Sequence, residues 1–225
     1  MGFAEVVAVC AVLAIVAMYL KNMQQDVQFV RSRVDGREYL VLRMPDADRA
    51  ADCMARLHRG VRALIAAMER DLPAEGEGDE GDDDDEPGPR VDKIKVFRNI
   101  KRRYRRAALS EGGTDTSVTS FSQGKGERIV MCLRARDARG KLGELEDHNT
   151  LMYVLLHEVG HLATDEIGHV PAFWANFRYI LDVAAREGLY EKVDYSAEHQ
   201  GYCGIEITSS AAFPRGGSHG TASRD

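Results

Sequence analysis

Two histidines and a glutamate stand in the order His-Glu-Val-Gly-His at positions 157 to 161, and His169 follows eight residues later. On a helix, positions i and i+4 lie about one turn apart on the same face, so His157 and His161 can reach one metal ion. Zinc favours tetrahedral nitrogen ligation, and a catalytic zinc site has three protein ligands and one water molecule. Glu158 stands beside the first ligand, where it can take a proton from that water. The pattern predicts a zinc hydrolase site.

The residues around this motif predict two helices that would position it. Asp147 or Asn149 can cap the start of the first helix, which then runs to about Ala163. Gly168 breaks the chain just before the third histidine and lets that histidine turn back toward the metal. A second helix is predicted over residues 171–187, with a proline in its first turn.

The motif resembles that of the WLM and SprT-type zinc metallopeptidases, a likeness that includes uncharacterised proteins of large DNA viruses and algae. The residues that carry the resemblance are His157, Glu158, Val159, Gly160, His161, Gly168, His169, Phe173 and Trp174. It implies a zincin-like α+β domain with a metal-binding helix and a small antiparallel sheet. It also implies that the three histidines bind Zn²⁺ and that Glu158 is the general base of a metalloendopeptidase.

The resemblance also implies where a protein or peptide substrate binds. In such peptidases a strand at the edge of the sheet commonly lies above the metal and receives the substrate in extended form. Strands are predicted over residues 118–122 and 128–136, and either can supply that edge. A plain structural hairpin is equally compatible with these two segments.

Other polar residues past the motif are candidates for supporting roles. The negative charge that develops on the substrate oxygen needs a donor besides the metal. Tyr195, His199 and Tyr202 are candidate donors by residue type and by their position after the site helix. Asp165 and Glu166 can orient the ligand imidazoles, although such residues in a short loop are more often only solvated.

Two other functions fit the same motif. A structural zinc site in a non-catalytic binding module is one, with Cys203 as a fourth ligand, but such a site has no use for Glu158. A DNA-associated protease of the Spartan type is the other, because a helix predicted over residues 91–109 has a basic face. Three interpretations of that face compete. A solvated surface is favoured over a contact for anionic lipid, and a nucleic-acid patch is the least favoured. Its cations are Arg98, Lys101, Arg102, Arg103, Arg105 and Arg106.

Residues 2–20 form an apolar run that only Glu5 interrupts. About 20 such residues are enough to cross a bilayer as a helix. No basic residue precedes the run, as one would in a cleaved signal peptide, and the run is apolar on every face. The sequence therefore predicts a single-pass membrane helix, which argues against a nucleic-acid partner. The cations that follow place the C-terminal domain in the cytosol under the positive-inside rule: Lys21, Arg31, Arg33 and Arg37.

Shifts in composition and turn-forming residues divide the rest of the 225 residues into segments. Hydrophobic residues make up 44% of the chain, which is enough for one moderate domain, and much of the net charge of −6 comes from the acidic run at 75–86. Asp35-Gly36 predicts a type I′ hairpin turn. Four cysteines, one of them in the apolar run, predict no disulfide framework.

The expected order is a membrane anchor over 1–20, a β-hairpin and linker over 21–45, an amphipathic helix over 46–72, a disordered acidic linker over 73–90, the metallopeptidase domain over 91–208 and a disordered tail over 209–225.

Overall fold

The computed structural model of the chain describes residues 12–15, 27–72, 89–105, 108–112, 119–211 and 213. Most of the acidic linker predicted over 73–90, and most of the tail predicted over 209–225, lie outside the described residues. The helices are α1 (Ala47–Arg70), α2 (Lys93–Tyr104), α3 (His148–Ala163) and α4 (Pro171–Arg186). The strands are β1 (Val27–Arg31), β2 (Glu38–Leu42), β3 (Ala108–Glu111), β4 (Phe121–Gln123), β5 (Arg128–Met131), β6 (Arg134–Arg136), β7 (Leu142–Leu145), β8 (Gln200–Tyr202) and β9 (Ile205–Ile207).

The main sheet has five strands in the order β1-β2-β3-β5-β4. The protein is α+β with a small sheet, but the sheet is mixed and not antiparallel as expected. Strand β3 runs parallel to both β2 and β5, whereas β1 and β4 pair antiparallel with their neighbours. The reason is the connection from β2 to β3, which passes through α1 and α2 and returns the chain in the same direction. Strand β4 therefore forms one edge of the sheet.

One hydrophobic core joins the sheet to α1, α3 and α4. Leu64 of α1, Ile129 of β5 and Leu156 of α3 are buried almost completely within it. Gly60 allows α1 to approach α3 closely, because a Cβ atom there would lie 2.4 Å from Cε of Met152. Helix α3, which contains the His-Glu-Val-Gly-His block, is thus the central helix of the molecule. Helix α1, expected as an element separate from the metallopeptidase domain, shares its core.

The hairpin of β1 and β2 forms as predicted, but its turn is of another kind. The N–H of Ser32 donates to the C=O of Arg37 at 2.8 Å, and this pair closes the turn. Gly36 has a φ of 72°, but Asp35 does not share its positive φ, as a type I′ turn would require. The carboxylate of Asp52 on α1 instead accepts a hydrogen bond from the Ser32 hydroxyl and holds the turn against that helix.

The helix predicted over 91–109 ends earlier, at Tyr104, and the residues after it form strand β3. This strand carries a buried carboxylate, Glu111, which accepts hydrogen bonds from the backbone N–H of Leu42 at 2.7 Å and from Nε of Arg134 at 2.8 Å. Pairing with β2 and β5 overrides the helical periodicity here, because the strand completes the middle of the sheet.

The predicted transmembrane helix is contradicted. Among the described residues, no helix is long and apolar enough to cross a membrane. The same finding contradicts the predicted location as a single-pass membrane protein with its C-terminal domain in the cytosol. Residues 2–11 and 16–20 of the apolar run lie outside the described residues.

The sequence predicts no disulfide framework, but the structure contains a disulfide. Cys132 and Cys203 are joined across 71 residues of sequence, and Cys53 is a buried free thiol. Strands β6 and β8 meet in space and bring the two halves of the disulfide together. Because Cys132 and Cys203 are 71 residues apart in the sequence, their closeness in space could not be predicted from their positions in the chain.

Candidate metal centre

Three imidazole rings meet at the end of α3. The Nε2 atoms of His157 and His169 are 2.9 Å apart, and the ring centroid of His161 lies 5.0 Å from that of His157 and 4.9 Å from that of His169. One ligand nitrogen from each ring lies within 4.8 Å of the others. Two nitrogens that bind one zinc ion at 2.0–2.1 Å with a tetrahedral angle are about 3.4 Å apart. The cluster therefore has the size of a three-histidine zinc site.

The surroundings of these rings favour the neutral form, which is the form that binds a metal. Burial, reinforced by the two other histidines, lowers the pKa of His157 to about 3. Burial, with His169 and Lys125 nearby, lowers the pKa of His161 to about 4. Burial also lowers the pKa of His169. The donor set fits zinc, because three imidazole nitrogens whose surroundings favour the neutral form lie within 4.8 Å of one another.

Two aromatic residues at the start of α4, Phe173 and Trp174, pack against the histidine rings. The Phe173 ring is fully buried, and its centroid lies 4.9 Å from His157, 4.4 Å from His161 and 4.8 Å from His169. Trp174 stacks on His169 at 5.5 Å with an interplanar angle of 29°. Helix α4 begins two residues after His169, and its first turn thereby packs against the third histidine.

Glu158 lies beside the cluster and is only 5% exposed. Burial raises the pKa of its carboxyl to about 7, while hydrogen bonds from the hydroxyl and the backbone N–H of Ser122 act in the opposite direction. Ser122 is the middle residue of β4, the edge strand. This contact could not be predicted from the sequence, because a serine in a short strand has no distinctive pattern. The edge strand β4 and the carboxylate of Glu158 are thus linked directly by hydrogen bonds.

The acidic residues after α3 do not orient the imidazoles. Asp165 accepts hydrogen bonds from Arg103 at 2.6 Å and Asn99 at 3.2 Å, and its other oxygen lies 3.1 Å from Nζ of Lys95. The backbone C=O of Glu166 accepts a hydrogen bond from Lys125 at 2.8 Å. These residues fix the loop between α3 and α4, and the cations that hold them were not singled out as site residues from the sequence.

Each of the three candidate oxyanion donors makes its contacts outside the histidine cluster. Tyr195 is buried against Tyr153, at a ring distance of 4.8 Å, in the first half of α3 rather than beside the histidines. The Tyr202 hydroxyl is 2.6 Å from Oγ of Ser120 and donates to the C=O of Cys132 at 2.8 Å. His199 is exposed and lies 3.9 Å from Glu206.

Cys203, considered above as a fourth zinc ligand, is bonded to Cys132. A disulfide sulfur offers no thiolate, which is the form of cysteine that binds zinc. Among the residues that the structure describes, the candidate ligand group consists of the three histidines. His169 is the exposed member of the group, whereas His157 and His161 are half-buried.

Comparison with known proteins gives relatives but no activity. No family model matches the chain, and no solved structure matches it. An uncharacterized protein of Acanthamoeba polyphaga mimivirus is 26% identical over 201 residues, which cover 88% of this chain and 90% of the viral protein. An uncharacterized protein of Invertebrate iridescent virus 6 is 29% identical over 106 residues, 47% of this chain and 58% of its own length. Another, from Invertebrate iridescent virus 3, is 39% identical over 62 residues, 28% of this chain and 38% of its own length.

Proposed function

We propose that this protein is a zinc-dependent metallopeptidase and that His157, His161 and His169 hold the metal ion. The observation that carries the proposal is the approach of three imidazole nitrogens to within 4.8 Å of one another, next to a buried carboxylate. Structural zinc sites are usually closed by four protein ligands, whereas catalytic sites keep one position open. The three-histidine group with its exposed member supports the catalytic kind.

The chemistry of the proposed site is amide hydrolysis. Bound zinc would polarise the substrate carbonyl and lower the pKa of a water molecule to near 7. The carboxylate of Glu158 accepts the proton of the attacking water and then delivers it to the nitrogen of the leaving amine. Ser122 holds that carboxylate through its hydroxyl and backbone N–H, so the base keeps one orientation between the two proton transfers. Burial of Glu158 excludes bulk water from this exchange.

A peptide is the substrate that the position of the edge strand supports best. Strand β4 pairs with β5 along one side, and its other side is the edge of the sheet. An extended peptide can add to such an edge through main-chain hydrogen bonds. The side chain of Ser122 reaches toward Glu158, while its neighbours Phe121 and Gln123 are exposed. A peptide paired with β4 would therefore lie next to the general base.

The proposal is tested by Glu158→Gln in the full-length, zinc-loaded protein, with Glu144→Gln as the matched control because Glu144 is an exposed carboxylate on β7. Cleavage of a peptide library is followed by mass spectrometry, and bound zinc is measured in the same samples. We expect the parent and the control to cleave peptides, and Glu158→Gln to keep its zinc and lose about 100- to 10,000-fold in rate. A zinc-loaded parent that cleaves no peptide, or a Glu158→Gln variant that cleaves as fast as the parent, would refute the proposal.

A further inference from the structure

The position of His169 depends on the five residues that precede it, 164–168, which we call the ligand loop. His157 and His161 are fixed by α3 itself, but His169 belongs to no helix. The ligand loop turns back at Gly168, which has a φ of 85°. Burial of apolar side chains does not hold it, because Ile167 is 89% exposed. Phe173 and Trp174 pack on the ring of His169, and polar contacts hold the backbone of the loop that leads to it.

Two cations from neighbouring elements make those contacts. Nζ of Lys125 donates to the C=O of Thr164 and to the C=O of Glu166, each at 2.8 Å. Nη1 of Arg103 donates to the C=O of Leu162 at 2.6 Å and to that of Thr164 at 3.3 Å. The last carbonyls of a helix have no partner within the helix, and cations are favourable at that end. The two side chains thus close the end of α3 and bind the ligand loop to it.

Lys125 lies in a tight turn between β4 and β5 that packs directly on α3. Lys125 itself has a φ of 51°, a conformation that side-chain-bearing residues rarely adopt. At Gly126, a Cβ atom would lie 2.1 Å from Cδ2 of Leu162. The strand that leads into this turn carries Ser122, which holds Glu158. One short segment therefore contacts both the proposed general base and the loop of the third ligand.

From these contacts we infer that Lys125 and Arg103 are positioning residues, which place His169 opposite the two histidines of α3 and so set the affinity of the site for zinc. The inference rests on the proposed function as far as zinc is concerned. Both side chains donate to backbone carbonyls at the end of α3 and in the ligand loop, and neither donates a hydrogen bond to a histidine ring among the contacts of the described residues. Groups that hydrogen-bond a metal ligand directly change metal affinity by about 10- to 100-fold, and we take this range as the scale for residues that hold the loop of a ligand.

The first test uses no metal. The chain has one tryptophan, Trp174, and it stacks on His169. The fluorescence of the metal-free, full-length protein therefore reports where His169 lies. We expect Lys125→Met to change the intensity and the emission maximum, and Lys125→Arg to stay near the parent. Lys141→Met is the matched control, because Lys141 is an exposed lysine in the turn between β6 and β7.

The second test measures zinc affinity by competition with a chelator. Lys125→Met should weaken binding by about 10- to 100-fold, whereas Lys125→Arg should retain most of the affinity and Lys141→Met all of it. In a His169→Ala background, Lys125→Met should weaken zinc binding much less than it does in the parent, because the residue acts mainly through the loop that places that histidine. Arg103→Met should behave as Lys125→Met does.

Each outcome decides between the two proposals. Unchanged fluorescence and unchanged zinc affinity in Lys125→Met would overturn the positioning role. An equal loss of affinity with and without His169 would also overturn it, because a general loss of structure gives that result. If the parent binds no zinc, the proposed function fails, and the fluorescence of the metal-free variants still shows whether Lys125 places His169.

Discussion

Replacing Gly126 with alanine measures how tightly the turn between β4 and β5 packs on α3. Gly126 has a φ of 100°, and a Cβ atom there would lie 2.1 Å from Cδ2 of Leu162 and 3.1 Å from the backbone oxygen of Arg103. A left-handed conformation costs a residue with a side chain about 1–2 kcal/mol. Leu162 is fully buried and cannot turn aside freely, so overpacking adds about 1–3 kcal/mol. We therefore expect the free energy of unfolding to fall by about 2–5 kcal/mol.

Gly36→Ala is the control for this measurement. Gly36 also has a positive φ, 72°, but no atom lies within 4 Å of a Cβ placed there. This variant should lose only the conformational part, about 1–2 kcal/mol. Both variants are compared with the parent by urea unfolding at one pH, and the difference between them isolates the packing of the turn. Equal losses in the two variants would show that the turn does not press on Leu162, and would remove the structural basis for the close contact at the end of α3.

Three further predictions concern the disulfide, an ion pair and a candidate donor. Reduction of Cys132–Cys203, which closes 71 residues, should lower the free energy of unfolding by about 4 kcal/mol in urea, and equal stability with and without reductant would contradict this. The Arg103 and Lys95 hydrogen bonds lower the pKa of Asp165 from 3.8 to about 2, so their stabilising effect is complete above pH 3.8 and is lost as the pH falls through 2. Arg103→Met should move that pKa, measured by NMR titration, toward 3.8; an unmoved pKa would argue against the pair. His199→Ala should leave peptide cleavage unchanged, because His199 is exposed and faces Glu206; a large loss of rate would restore His199 as a donor.

The local features of the site could be predicted from the sequence because they depend on periodicity and capping. Helix α3 was expected from residue 147 to 163 and runs over His148–Ala163, with the Asp147 carboxylate accepting a hydrogen bond from the backbone N–H of Thr150 at 2.8 Å. The spacing of His157 and His161 puts both on one face of any helix. The approach of His169 was also expected, since a glycine and then a proline bracket it.

The features that the sequence did not predict depend on contacts between distant residues. Strand β3 lies in the middle of the sheet, although the sequence predicts a helix up to residue 109. Cys132 and Cys203 are near each other only because β6 and β8 meet. Lys125 and Arg103 donate hydrogen bonds to backbone carbonyls at the end of α3 and in the ligand loop. Every residue type has such a carbonyl, so the sequence of the loop does not indicate these contacts. Predicting such contacts requires the fold itself.

The central claim is that three histidines form one zinc site, and the most direct measurement is the zinc content of the purified full-length protein. Zinc per mole is measured for the parent, for His161→Ala and for His169→Ala, with His199→Ala as the control for removal of an exposed histidine. We predict one zinc per chain in the parent and in the control, and strongly weakened binding in the two site variants. A folded parent without zinc, or full zinc retention in His169→Ala, would contradict the three-histidine site.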